Sequence, residues 1–241
     1  LKNSQMKKIS KVEFGILEKI YKESGIKKFL LGGSIPYQNA ARKINVEFKV
    51  KDYDLAIIGG VNQFYKIKKI LEKNKFKIKK ARPYFLKFKK VFQIVAEKRN
   101  MVLDIAIVRN LNYLGHFNWE SIFWRFPSGN IYDPYRAIES IRKRELKLTI
   151  KPNEENPLIL ASRFSKICAR FDLDFCKDKR LYKLSKKINI LAARWKSNDL
   201  FHSKYAREHS YFGIIESILL SKNRPLFIHN LNKSGILLIF Y

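Results

Sequence analysis

Asp52 and Asp54, in Lys51-Asp52-Tyr53-Asp54-Leu55-Ala56, are the residues of this chain best placed to do chemistry. If the segment is a strand, alternate side chains share a face, so the two carboxylates point together while Tyr53 and Leu55 point away. Like charges held so close are costly unless a cation lies between them, and Mg²⁺ takes oxygen ligands of this kind. Upstream stands Leu31-Gly32-Gly33-Ser34. Gly32 and Gly33 permit close backbone approach, and Ser34 at a helix start offers donors to phosphate. A third acid, Asp104, sits among apolar residues in Val102-Leu103-Asp104-Ile105-Ala106-Ile107-Val108. An acid there is expensive to bury unless it is paired or faces a cleft, and a strand beside Asp52 and Asp54 would bring it to them. Three acids and a glycine turn suit metal-dependent phosphoryl or nucleotidyl transfer. One metal lowers the pKa of an attacking hydroxyl, and a second holds the triphosphate and the leaving pyrophosphate.

The elements that position these groups follow from apolar spacing. Residues 11–24 carry Phe14, Leu17, Ile20 and Tyr21 at helical intervals, with Gly25 as a stop. Lys28-Phe29-Leu30-Leu31 predicts a short strand, and a helix capped by Ser34 keeps Pro36 in its first turn. Val50 to Ile58 predicts a strand ended by Gly59-Gly60, and Phe64, Ile67, Ile70 and Leu71 predict an amphipathic helix over 61–73. Two β-rich runs, Tyr84 to Glu97 and Met101 to Val108, predict a hairpin turning at Lys98-Arg99-Asn100. From Pro157 onward helical spacing dominates. The expected fold class is α+β: a mixed-sheet head over residues 1–151, a boundary near Lys151-Pro152-Asn153, and an all-helical part over 152–241.

With 241 residues, 46% of them hydrophobic, the chain can bury the core of one large or two small domains. Its 50 Lys+Arg against 21 Asp+Glu leave a formal charge of +29, which points to polyanionic partners. The wealth of Lys, Ile, Asn, Phe and Tyr is also what an AT-rich genome produces, which weakens the argument from charge. No apolar run approaches the ~20 residues of a membrane span, and no signal peptide opens the chain. RNA or DNA is therefore the expected partner and a membrane is not. An intracellular setting follows, cytoplasmic or organellar, the mitochondrial matrix included. Cys168 and Cys176 are too few and too far apart for a zinc site, so reduced thiols are expected. The histidines (His116, His202, His209, His229) show no ligand spacing. Arg163, Lys166 and Arg170 recur at three- and four-residue intervals and share a helix face. A basic run with Lys68-Lys69, Lys79-Lys80, Arg82 and Lys89-Lys90, interleaved with Phe76, Tyr84, Phe85 and Phe88, offers an RNA-contacting edge. The apolar Ile239-Phe240-Tyr241 suggests a protein partner at that end.

Phe29-Leu30-Leu31-Gly32-Gly33-Ser34 followed by Lys51-Asp52-Tyr53-Asp54-Leu55-Ala56 resembles the head signature of class II tRNA nucleotidyltransferases (CCA-adding enzymes) and bacterial poly(A) polymerases. Further segments follow in the family's order. Gly129-Asn130-Ile131-Tyr132-Asp133-Pro134-Tyr135 and Ile138-Glu139-Ser140-Ile141 are similar to its turn, Asp-Pro and short helix. Lys166 to Asp174 is similar to its neck helix, and Glu216 to Leu231 to the opening of its body. The resemblance implies a polymerase β-like nucleotidyltransferase head followed by a helical neck and partial body. It implies template-independent addition of CMP/AMP or AMP to RNA 3′ ends by a two-metal mechanism. Asp52 and Asp54 would hold Mg²⁺, and Asp104 would help activate the 3′-hydroxyl. Gly32, Gly33 and Ser34 would hold the triphosphate, with Arg163 also at the nucleotide. Lys166, Arg170, Lys177 and Arg180 would contact RNA. The implied partners are an NTP (ATP, with CTP) and an acceptor RNA: tRNA or another 3′ end, rRNA included. Asp133 is expected to serve the Asp-Pro turn, not catalysis.

The departures fall on nucleotide selection. Where the family has an Arg-Asp pair after the glycine turn, this chain has Pro36 and Tyr37. His116-Phe117-Asn118-Trp119-Glu120 stands where an Arg-Arg-Asp-Phe-Thr-type motif is usual, and only Phe117 agrees. Glu155-Asn156-Pro157-Leu158-Ile159-Leu160 keeps the acid and Pro-Leu of the base-reading motif but lacks its arginine, for which Arg163 is the nearest substitute. Two functions compete: the transferase, and a catalytically reduced homologue serving as a basic RNA-binding subunit of a ribosome or other ribonucleoprotein. A third, a transferase acting on antibiotics or proteins, keeps the carboxylates but leaves the charge unexplained.

Overall fold

The computed structural model describes residues 9–44, 52–86, 89–111, 114–149, 155–195 and 204–240. Lys51, Phe88, the Lys151-Pro152-Asn153 boundary, His202 and Tyr241 lie outside the described residues, as do the side chains of Tyr84, Phe85, Lys89 and Lys90. The chain forms two compact units: Leu1–Gly115 with Glu120–Arg142, and His116–Trp119 with Lys143–Tyr241.

In the first unit, α1 (Lys11–Ser24) starts from a capping box. The Ser10 hydroxyl accepts from Glu13 N at 3.2 Å, and the Glu13 carboxylate accepts from Ser10 N at 3.0 Å, which satisfies two amides the helix cannot. The helix ends at Gly25, whose φ of 62° is left-handed. Then come β1 (Phe29–Leu31), α2 (Ser34–Ile44), β2 (Tyr53–Ile58) and α3 (Val61–Lys73), which buries Phe64, Ile67, Ile70 and Leu71 as its spacing predicts. Among the described residues β2 begins at Tyr53, with Asp52 in a bend just ahead of it, while Val50, the expected start, lies outside the described residues.

The β-rich region differs from expectation. Tyr84 to Glu97 is not one run: Tyr84–Leu86 closes β3 (Lys77–Leu86), and β4 (Lys89–Lys98) begins after it, with Leu86 opposite Lys89. The basic residues of β3 conceal its alternation; among its described side chains, Ile78 and Ala81 pack on the core. A register shift between Ile78 and Lys80 also breaks the two-residue period. β5 (Met101–Val108) forms the predicted hairpin with β4, and β6 (Phe123–Arg125), β7 (Ile131–Tyr132) and α4 (Ala137–Arg142) complete the unit.

The strands form one seven-stranded mixed sheet in the order β3-β4-β5-β2-β1-β6-β7, with β2 and β5 parallel. One face packs against α1 and α3: Leu55, Ile57, Leu103, Ile105, Ile107 and Ile94 join Leu17, Ile20, Phe64, Ile67 and Leu71 in a common core. Each such side chain contributes roughly 1.5–3 kcal/mol on burial, which fixes which side of β2 and β5 faces inward.

The second unit is helical: α5 (Pro157–Arg170), α6 (Lys179–Trp195), α7 (Lys204–Leu220) and α8 (Arg224–Lys233). Asn156 caps α5 by accepting from Leu158 N at 2.9 Å, with Pro157 in the first turn. Phe164, Phe175 and Phe227 stack edge to face through the core at 5.3 and 5.7 Å. α5 and α7 approach closely, because a Cβ on Gly213 would be driven into Ser162 Oγ and lie 3.2 Å from Lys166 Cε. Cys168 is buried, Cys176 is half-buried and both are free; burial pushes the Cys168 thiol up. Ile236 and Ile239 are buried within this unit, whereas Leu238 is exposed. Among the described residues no helix is long and apolar enough to cross a membrane.

Candidate active site

With Tyr53, Leu55, Leu103 and Ile105 turned into the core, Asp54 and Asp104 must emerge on the opposite face of the sheet. The parallel register pairs Asp54 directly with Asp104, with Tyr53 opposite Leu103 and Leu55 opposite Ile105. Neighbouring strands lie about 4.8 Å apart, so the carboxylates are side by side. The Gln93 amide, from β4, donates to both oxygens of Asp104 at 2.9 and 3.0 Å and fixes its orientation. Asp52 lies one alternation earlier, at its bend, beyond the paired ladder.

The glycine turn is built onto Asp54. Gly32 N donates to Asp54 O at 2.8 Å, extending the β1–β2 ladder into the turn. Gly33 has φ of 61°, and a Cβ there would be driven into Asp54 Oδ2 and sit 2.9 Å from its Cγ. No other residue type fits, for conformational and steric reasons together. α2 starts at Ser34, so the Asp54 carboxylate lies beside the positive end of a helix. Pro36 and Tyr37 are buried in α2 and supply no cation.

The same face carries cations from β3. Arg82 lies opposite Gln93, and Lys80 lies opposite Val95, itself opposite Asp104. Lys80 is half-buried; burial pushes its ammonium pKa down first, Arg82 adds to this, and Asp104 opposes it. Sequence reasoning missed Gln93 altogether. Its only local signal is a polar residue between Phe92 and Ile94.

Among the described residues no three His, Cys, Asp or Glu side chains converge into a metal cage. Mg²⁺ in phosphoryl-transfer sites needs less: it is held by one or two carboxylates plus the phosphates of the substrate and keeps its waters. Two oriented carboxylates on adjacent strands fit that requirement.

The site residues expected in the helical unit are placed differently. Arg163 is half-buried on α5 and, with Lys166, faces His209. Burial pushes the His209 pKa down, and so do Arg163, Lys166 and His116, while Glu155 opposes them. Lys166 Nζ meets Glu216 Oε2 at 2.7 Å, and its side chain is only 19% exposed. Arg170 is exposed at the end of α5. Lys177 pairs with Asp174 at 3.4 Å and Arg180 with Glu145 at 3.5 Å, both at the surface, where such pairs are worth little. Glu155, the acid of the base-reading segment, is buried, with Oε2 2.8 Å from His116 Nε2 and Oε1 accepting from Asn156 N at 2.8 Å. Asn118 accepts from Lys147 N and donates to Glu145 O, which roots the segment 116–119 in the helical unit. Trp119 is core there, at 1% exposure. Asp133 accepts from Ala137 N at 2.6 Å and Ile138 N at 3.0 Å, so it starts α4 as a turn residue would.

No family model matches the chain, and no curated protein does. Among solved structures, the apo form I of a CCA-adding enzyme matches with a TM-score of 0.57 and 14% identity over 94% of this chain. The chain spans 51% of that structure's length. At this identity the likeness is one of fold: a mixed sheet with a helical continuation, as in the nucleotidyltransferase-like architecture of that enzyme.

Proposed function

We propose that the protein is a template-independent RNA nucleotidyltransferase, transferring a nucleoside monophosphate from ATP or CTP to the 3′-hydroxyl of a tRNA or other RNA. The observation that carries this reading is the in-register pairing of Asp54 with Asp104 beside a glycine turn folded onto Asp54. In the reaction the acceptor 3′-oxygen forms a bond to the α-phosphorus, the bond to the bridging oxygen breaks, and pyrophosphate leaves.

Asp54 and Asp104, with Asp52 at the edge of the site, would hold Mg²⁺; when bound, it supplies charge neutralisation for the phosphates and acidifies the attacking hydroxyl. Asp104 stands ready to take that hydroxyl's proton, and Gln93 orients it for the purpose. The Gly32-Gly33 backbone and Ser34, at the start of α2, receive the triphosphate. In the helical unit, Arg170, Lys177 and Arg180 are among the exposed cations that an RNA backbone could meet. Lys166 serves packing through Glu216.

The test is extension of labelled RNA by the full chain with Mg²⁺ and ATP or CTP, using tRNA lacking its 3′ end and unstructured RNA. Extension is expected from wild type and none from Asp54→Asn/Asp104→Asn. Failure to extend any RNA with any nucleotide would defeat the reading. The second reading, a basic RNA-binding subunit without catalysis, is favoured by Pro36 in place of a cation and by Glu155 being held by His116. It expects RNA affinity that falls steeply with salt and is untouched by the two Asp→Asn changes.

A further inference from the structure

The carboxylate face continues past Asp104 to Lys80 and Arg82, and both owe their position to an irregularity in β3. Ile78 lies opposite Ala96 on the core face. Strict alternation would send Lys80 and Arg82 into the core after it. The register shift between Ile78 and Lys80 turns them over, so that Lys80 lies opposite Val95 and Arg82 opposite Gln93. Lys79, the extra residue, is tied to Glu97 at 2.7 Å. Burial pushes the Lys80 ammonium pKa down first, the neighbouring Arg82 adds to this, and Asp104 opposes it. Neighbouring cations carry a mutual cost that a bound phosphate relieves.

The order across the sheet says which phosphate. It runs from the glycine turn after β1, to Asp54 on β2, to Asp104 on β5, to Gln93 on β4, to Lys80 and Arg82 on β3. In an in-line displacement the attacking and leaving oxygens lie on opposite sides of the phosphorus. A triphosphate at the glycine turn places the leaving group at one end of this line and the acceptor at the other. Lys80 and Asp104 are two strands apart, about 10 Å at the usual strand spacing, so the cations stand beside the acceptor end.

We propose that Lys80 and Arg82 form the subsite for the 3′-terminal phosphodiester of the acceptor RNA. This rests on the transfer reading of Asp54 and Asp104. The cations bind phosphate whatever its source, so the test separates acceptor RNA from triphosphate. In the full chain, Lys80→Gln/Arg82→Gln should raise the KM for RNA at least tenfold and leave the KM for the NTP within twofold. Lys79→Gln is the control on the same strand, and the charge-preserving Lys80→Arg/Arg82→Lys should restore the RNA KM. A rise in the NTP KM alone, or no change in either, would overturn the subsite.

A binding arm needs no catalysis. Single-stranded RNA with an ordinary last linkage is compared with the same RNA carrying a neutral methylphosphonate there, by fluorescence anisotropy. Wild type should bind the ordinary RNA at least fivefold more tightly, and the Gln/Gln variant should bind both alike. Its salt slope should also fall by about 0.7, the share of one phosphate contact on a single strand. Equal binding of the two RNAs by wild type would overturn the subsite. Discrimination by a wild type that extends no RNA would uphold the subsite and defeat the transfer reading alone.

Discussion

Asp54 and Asp104 meet because two strands run parallel in register, whereas Lys166 and Glu216 meet because two helices close over a glycine and a serine. Both are pairs of ionisable groups at helix or strand positions, yet their surroundings give them opposite work. The sheet sets two carboxylates side by side, an arrangement that a cation between them would stabilise, and the Gln93 amide holds Asp104. The helical unit sets opposite charges together across its helices, and it also holds Glu155 against His116. Charge brought to a common face by backbone register is available for chemistry; charge neutralised across a helix interface is part of the scaffold.

The largest effect that would test this contrast is Gly33→Val. Its β-branched side chain meets a left-handed backbone and the Asp54 carboxylate at once, and the backbone strain alone costs about 1–3 kcal/mol. Transfer should disappear and the urea midpoint of the sheet unit should fall; an unchanged midpoint would show that the turn does not rest on Asp54. Next in size is Gln93→Leu. Removing an orienting partner typically costs 10–100-fold, so kcat should fall by that order while the melting temperature barely moves. A loss of stability equal to the loss of activity would make Gln93 a packing residue only.

How far the sequence discloses the molecule follows the same line. The limits of α1 and α3, the hairpin at Arg99-Asn100 and the meeting of Asp104 with Asp54 are legible because local apolar periods dictate which side faces the core. β3 is not legible, because its lysines mask the alternation and the shift at Lys79 cancels the period. The Gln93 contact depends on the register between strands, which no local pattern encodes. In the helical unit, spacing shows that Arg163, Lys166 and Arg170 share a face, but not that Glu216 waits opposite Lys166, in another helix.

Smaller effects sharpen the helical side of the comparison. Arg170→Gln should weaken RNA binding and reduce the salt slope by about 0.7. Lys166→Gln should leave the slope alone and lower unfolding stability by no more than about 1 kcal/mol, since Glu216 is partly exposed. The reverse pattern would place RNA on Lys166. The smallest effect concerns His209. Its folded pKa is depressed below 6.5 by burial and by Arg163, Lys166 and His116, against Glu155. The stability gained from its neutral form is thus present above that pH and lost as the pH falls through the folded-state value. His209→Gln should flatten that decline in the thermal midpoint; an identical decline would show that His209 does not carry it.

The most direct measurement of the central claim is Mn²⁺ binding, followed by electron paramagnetic resonance in the presence of a non-hydrolysable ATP analogue. If Asp54 and Asp104 together form a metal–nucleotide site, wild type should bind the ion at least tenfold more tightly than Asp54→Asn/Asp104→Asn. Equal binding by the two proteins would contradict it.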